Sequence, residues 1–189
     1  MTGGRPATVV VLNGAPRTGK SSIAEAVQRQ LGGTWLNLGV DVMRRATPPD
    51  AQPGIGLRPG EPIDHVTRAL WSAFWDSVAA HARLGLNVVA DVGVHDSAVA
   101  VDAARRLADV PVLLVGVRCP APVVLERRRS SGGEYAVDPC IVDRWERAVH
   151  GPIGYDLELD TSASTPEECA AAIAARLAER PAQPGTFLA

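Results

Sequence analysis

The stretch VVVLNGAPRTGKSS, Val9 to Ser22, decides the fold. An apolar run rich in β-branched residues ends in Leu12-Asn13, a turn containing glycine and proline follows, and Gly19-Lys20-Ser21 closes it. Ile23, Val27 and Leu31 then recur four apart as one apolar helix face, which Gly32-Gly33 terminates. From Gly14 to Ser21 the turn fits G-x-x-x-x-G-K-[ST] at every fixed position, in the strand-to-helix setting that gives this pattern its meaning. Glycine lets the backbone curl so that successive N–H groups point at one anion. The helix that follows adds the positive end of its dipole. The candidate phosphate-binding residues are therefore Gly14, Ala15, Pro16, Arg17, Thr18, Gly19, Lys20, Ser21 and Ser22. Lys20 can reach the β- and γ-phosphates as a point charge, and Ser21 can offer a hydroxyl to Mg²⁺. ATP and Mg²⁺ are the expected cofactors.

Four more apolar runs lie downstream, at Thr34 to Val40, Asn87 to Val92, Pro111 to Val117 and Tyr155 to Leu159. Helical signals separate most of them. Val66, Leu70, Phe74 and Val78 mark one helix, which stops before Gly85. Asp96 can cap a second that reaches about Leu107, Pro122 to Arg129 starts a third, and Pro139 to Val149 forms a fourth. Thr165-Pro166-Glu167-Glu168 supplies a cap, an N1 proline and two acids for a last helix to about Glu179. Alternating strands and helices predict an α/β domain over residues 1–189, with a five-stranded parallel sheet and helices on both faces. The segment Thr47 to Ile63 carries five prolines and reads as a long binding loop, part of an acceptor-binding region at about 42–65. The tail from Pro181 to Ala189 reads as frayed.

Acids at strand ends complete the candidate site. Asp91 ends an apolar run, and in a parallel sheet such ends face the ligand crevice. It either holds a metal beside Ser21 or caps a nearby loop. Asp41 ends another run, beside the proline-rich loop. It either accepts a proton from a substrate alcohol or caps a helix at Val42 to Ala46. Arg127, Arg128 and Arg129 run into Ser130-Ser131-Gly132-Gly133, which suits a lid at about 127–138 closing over phosphates and equally suits a solvated helix end. The histidines show no ligand-like spacing, and Trp71 and Trp75, four apart, read as core or as one wall of a pocket.

With 189 residues, 46% hydrophobic and 21% charged, and a formal net charge of −2 without a like-charged block, the chain is expected to be globular. It lacks the basic face that nucleic acid or a membrane surface would demand. No apolar stretch approaches the roughly 20 residues of a membrane span. The start of the sequence shows no secretory core, and three cysteines without ligand spacing suit reduced thiols, so a cytoplasmic location is expected. The expected partner is a small-molecule hydroxyl acceptor, with self-association left open. An N-K-x-D base-reading motif is absent, which argues against a GTPase.

The segments VVVLNGAPRTGKSSIAEAVQ, WLNLGVDVM, NVVADV, LLVGVRC, AVHGPIGYDLELDTS and PEECAAAI occur in an order and spacing similar to chloramphenicol phosphotransferase. The resemblance spans about Thr8 to Leu177. It implies a P-loop kinase fold of the nucleotide-kinase type with a short lid, and ATP- and Mg²⁺-dependent phosphorylation of a small-molecule hydroxyl, in that family the primary hydroxyl of the antibiotic. It places the proposed base on Asp41, the phosphate-loop lysine on Lys20, the strand-ending acid on Asp91 and a lid arginine on Arg128. The chain departs from the pattern at Ala90, where the family member has an acid. It departs again after Arg128, where a second lid arginine is missing and Arg144 is the candidate replacement. Thr47 to Ile63 does not align, so the acceptor is the least transferable part. A kinase for another alcohol, or a binding protein that uses ATP as a switch, are the alternatives.

Overall fold

The computed structural model describes residues 7–48, 63–131, 137–151 and 153–179, with the backbone of 183–184. Five strands run parallel: β1 (Val9–Asn13), β2 (Trp35–Gly39), β3 (Asn87–Val92), β4 (Pro111–Arg118) and β5 (Leu157–Asp160). Their order is β2-β3-β1-β4-β5. β1 is thus central. The connection from β1 to β2 passes β3 on one side, and that from β3 to β4 passes β1 toward the other. Such a reversal opens a crevice at the carboxyl ends of the strands. In register, Asp91 lies level with Leu12 on one neighbour and Gly39 on the other.

The frayed-tail expectation needs correction at one point. Gln183–Pro184 forms a short strand, β6, antiparallel to Pro111 and Val112. β5 pairs only with the second half of β4, from Val115 onward. The first half would otherwise present unpaired backbone groups, and β6 covers it.

Seven helices surround the sheet among the described residues: α1 (Lys20–Gln30), α2 (Val40–Ala46), α3 (His65–Arg83), α4 (Ser97–Arg106), α5 (Ala121–Ser130), α6 (Pro139–His150) and α7 (Pro166–Glu179). The strand alternation sorts the core into two faces. Val9, Val11, Ala90 and Leu114 pack with Trp71, Phe74, Trp75 and Val78 of α3 and with Val99 and Ala103 of α4. Val10, Leu12, Val89 and Val115 pack with Ile23 and Val27 of α1 and with Cys169 and Ile173 of α7. Burial on both faces is why these strands are continuously apolar.

The helix starts follow local chemistry. Asp64, Asp96 and Asp138 each accept backbone N–H bonds at the first turns of α3, α4 and α6. At α7 the Thr165 hydroxyl accepts from Glu168 N while the Glu168 carboxylate accepts from Thr165 N, a reciprocal pair. At the second strand the expected boundary shifts. β2 ends at Gly39, so Asp41 lies in the first turn of α2 and not on a strand tip. Gly39 is the N-cap, with no side-chain capping bond, so Asp41 does not cap α2 either.

Candidate active site

The turn after β1 is shaped from within. Arg17 and Gly19 take left-handed conformations, at φ 72° and 96°, and so turn the backbone around a common centre. Thr18 donates its hydroxyl to Ala15 O at 2.9 Å, and Lys20 Nζ donates to the same carbonyl at 2.9 Å. Gly14 passes so close to β4 that a Cβ there would stand 2.4 Å from Val117 O. Ala15 and Thr18, expected to bind phosphate, are buried at 1% and 0% exposure and turn inward to hold the loop. Gly14, Pro16, Arg17, Gly19, Lys20, Ser21 and Ser22 line the cleft.

Asp91 joins the two functional side chains of α1. Its Oδ2 accepts the Ser21 hydroxyl at 2.6 Å, and its Oδ1 lies 3.6 Å from Lys20 Nζ. The lysine is nearly buried, and the carboxylate offsets the cost of removing its charge from water. A hydroxyl beside a carboxylate is a hard-oxygen pair, the donor type that suits Mg²⁺.

The cleft is a cavity of about 760 Å³. One end is bounded by the phosphate loop with Arg127, Thr161, Ser164 and Pro166; the other by Gly39, Val40, Asp41, Arg44, Arg45 and Trp71. Trp71 is 3% exposed, stacks on Trp75 at 6.1 Å between centroids, and still forms part of the wall. It is both core and pocket. Asp41 is largely exposed, with Arg44 Nη1 at 3.9 Å.

The lid arginines do not sit as expected. Arg128 is 1% exposed and is not among the residues lining the cleft. Consecutive helical residues point about 100° apart, and on α5 it is Arg127 that faces the cleft. Its guanidinium donates to Thr161 Oγ1 at 3.0 Å, Thr161 O at 2.8 Å and Thr18 O at 3.2 Å. Arg144 is exposed and likewise does not line the cleft. The rest of the lid call, 132–136, and 49–62 of the acceptor loop lie outside the described residues. Cys119, 3.4 Å from Arg127 Nη1, has its thiol pushed up by burial, so it is no thiolate nucleophile at neutral pH.

Behind the loop lies a polar cluster that periodicity does not reveal. Asn13 is 1% exposed; its amide donates to Val149 O at 2.9 Å and to the Tyr155 hydroxyl at 3.0 Å, and its carbonyl accepts from Val94 N at 2.7 Å. It thereby ties the root of the phosphate loop to the segment after β3 and to the end of α6. Trp145 of α6 packs against Ala15 and lines the cleft, with His95 edge-on at 5.2 Å. The one sequence signal for this cluster is a polar residue closing an otherwise apolar strand.

A family described as chloramphenicol phosphotransferase-like protein matches residues 7–178. The chain belongs to this family. A Mycobacterium tuberculosis protein, provisionally named an O-phosphotransferase, is 27% identical over 191 residues, covering 90% of this chain and 82% of that protein. The structure resembles M. tuberculosis APS kinase in complex with AMPPNP and APS, with TM-score 0.67 at 19% identity over 93% of this chain and 99% of the other. It also resembles a gluconokinase from Sinorhizobium meliloti 1021, with TM-score 0.65 at 20% identity over 92% and 94%. The fold is that of the P-loop kinases, and the chain is a small-molecule O-phosphotransferase. No described helix is long and apolar enough to cross a membrane.

Proposed function

We propose that the protein transfers the γ-phosphoryl group of ATP, as its Mg²⁺ complex, to a hydroxyl of a small molecule held at the Asp41 end of the cleft. One observation carries the reading: Asp41 shares a single cavity with Lys20, Ser21 and Asp91. Its volume, about 760 Å³, lies within the usual range for ligand pockets.

Lys20 and the loop amides hold the phosphates. Mg²⁺ held through Ser21 and Asp91 would neutralise charge on the phosphate oxygens. Arg127, beside Thr161 and Ser164, offers a planar cation on which the adenine can stack. Asp41 orients the acceptor hydroxyl and takes its proton. The acceptor oxygen bonds to the γ-phosphorus as the bond from that phosphorus to the bridging oxygen breaks, and the electron pair of the broken bond stays on ADP.

Chloramphenicol is the acceptor that the family description nominates, and its primary hydroxyl is the group that the resemblance implies. A second reading, a kinase of a different alcohol, is favoured by Arg44 and Arg45 on the acceptor wall. The test is ADP release from MgATP with chloramphenicol and a panel of other alcohols, repeated with Asp41→Asn. The reading expects release that depends on acceptor, and a fall of about 10²–10⁴-fold in kcat for the variant on the best acceptor. Full activity in Asp41→Asn would remove the base. Acceptor-independent nucleotide binding with no transfer to any alcohol would favour the switch alternative.

A further inference from the structure

We propose that Arg17 is a catalytic arginine carried by the phosphate loop itself, its guanidinium taking up the negative charge that builds on the leaving ADP as the γ-phosphoryl group departs. The proposal rests on the kinase reading above and adds a residue to the chemistry of that same site.

Four of the described residues hold a positive φ: Arg17, Gly19, Gly33 and Gly85. Three are glycine, which enters the left-handed region without penalty. The fourth is an arginine at φ 72°, and a residue with a Cβ is strained there because that carbon crowds the following carbonyl oxygen. Gly19 shows what the loop does where only the backbone turn matters. A Cβ there would meet nothing closer than 3.6 Å, an ordinary contact, so conformation and not space calls for glycine. Two residues earlier the same bend is made at a strained residue, and that residue lines the cleft. Strain held in a ligand-binding loop points to a role for the side chain.

The chemistry has such a role to fill. Charge that develops on a phosphate in the transition state is stabilised by a positioned cation. The helix on which the lid arginine is expected does not supply one. Arg127 gives its N–H groups to Thr18 O, Thr161 Oγ1 and Thr161 O. Arg128 is buried and does not line the cleft, and Arg129 is exposed and pairs with Glu126 at 3.3 Å. The sequence between α5 and α6, Ser131 to Asp138, contains no lysine or arginine. Arg44 and Arg45 line the cleft from α2, at the acceptor end with Asp41. Lys20 and Arg17 are the cations of the loop itself, and Lys20 stands 3.6 Å from Asp91 at the candidate metal pair.

In the step, the acceptor oxygen bonds to the γ-phosphorus and its proton passes to Asp41. The bond from that phosphorus to the bridging oxygen breaks, and its electron pair stays on ADP. A guanidinium donating to the leaving phosphate holds it more tightly in the transition state than in bound ATP, because the charge there has grown.

A bend that merely tolerates arginine is the competing account, and glycine separates the two. Arg17→Gly relieves the backbone and removes the guanidinium together; Arg17→Ala removes the guanidinium and keeps the strain. ADP release from MgATP is measured with the best alcohol of the panel above and with water alone. The proposal expects kcat to fall by about 10²–10³-fold in both variants. MgAMPPNP affinity by calorimetry should change by less than about tenfold, and Arg17→Gly should melt about 2–4 °C above Arg17→Ala. Guanidinium ion added below denaturing concentrations should restore part of the turnover of Arg17→Gly, a response that a purely backbone role does not give. Wild-type kcat in Arg17→Gly, or a loss confined to KM for ATP, overturns the proposal and leaves the kinase reading standing. Wild-type protein that turns over MgATP with neither an alcohol nor water overturns both.

Discussion

Ser21 Oγ donates to Asp91 Oδ2 at 2.6 Å, joining the first turn of α1 to the end of β3 across 70 residues of sequence. This contact creates the oxygen pair at which a divalent ion would be held. Asp91→Asn and Ser21→Ala should each lower the apparent Mg²⁺ affinity of ADP release by about 10–100-fold, the loss typical when a metal's supporting contact is removed. A Mg²⁺ titration that superimposes on wild type in both variants would remove the pair from metal binding.

Arg127 and Arg128 should fail in different assays. Arg127→Ala removes donors to Thr18 and Thr161 on the nucleotide side, so KM for ATP should rise by about tenfold, the loss of a charge-assisted bond. Arg128→Ala empties a buried position and should cost more than about 1 kcal/mol of stability, read as a lower Tm. An Arg128 variant with unchanged Tm and a lost kcat would restore the lid role that the family resemblance implies.

Gly14→Ala tests the packing of the phosphate loop. The new Cβ would meet a backbone carbonyl, Val117 O, at 2.4 Å, which no rotamer change can relieve. Overpacking of this kind costs about 1–3 kcal/mol, and nucleotide binding should fall with stability. Gly154→Ala, with open space around the Cβ, is the control and should shift Tm little. Equal Tm values for the two variants would mean that the loop yields freely.

Asn13→Leu keeps the volume and removes the polar anchor. Val94 N and Val149 O would each lose a buried partner. An orphaned buried group costs about 1–3 kcal/mol, so chemical denaturation should show a loss of several kcal/mol with an unchanged m-value. A variant as stable as wild type would mean that water replaces the amide.

Tyr155 makes stability depend on alkaline pH. Burial pushes its hydroxyl up to about 12 from an ordinary 10.0. Between those values the unfolded chain releases the proton while the native chain keeps it, so the native state binds more protons and stability falls as pH rises. Below pH 10 the contribution is whole. The slope should approach ~1.4 kcal/mol per pH unit near the middle of that window, where the two states differ by about one proton. Tyr155→Phe should flatten it; identical alkaline slopes in the two proteins would refute the assignment.

The legible parts were those that neighbours in sequence enforce. The phosphate loop is eight consecutive residues whose glycines and lysine act within one turn, and Asp96 and Thr165 cap helices within three residues of themselves. Both strand faces are apolar because both are covered, so the buried strands stood out. The boundary at Gly39 did not, because Val40 and Asp41 carry equally well into an extended or a helical turn.

From its amino-acid order alone this chain specified a parallel α/β sheet with a phosphate-loop pattern, and the lysine, hydroxyl and carboxylate that meet beside that loop, since those choices rest on local propensity and period. Only the assembled tertiary structure decided that Arg127 faces the cleft while Arg128 is buried, that Arg44 and Arg45 join Asp41 in lining the cleft, and that Asn13 ties three segments together. Each depends on helix rotation or on contacts between segments far apart in sequence, which are settled when the elements pack and not before.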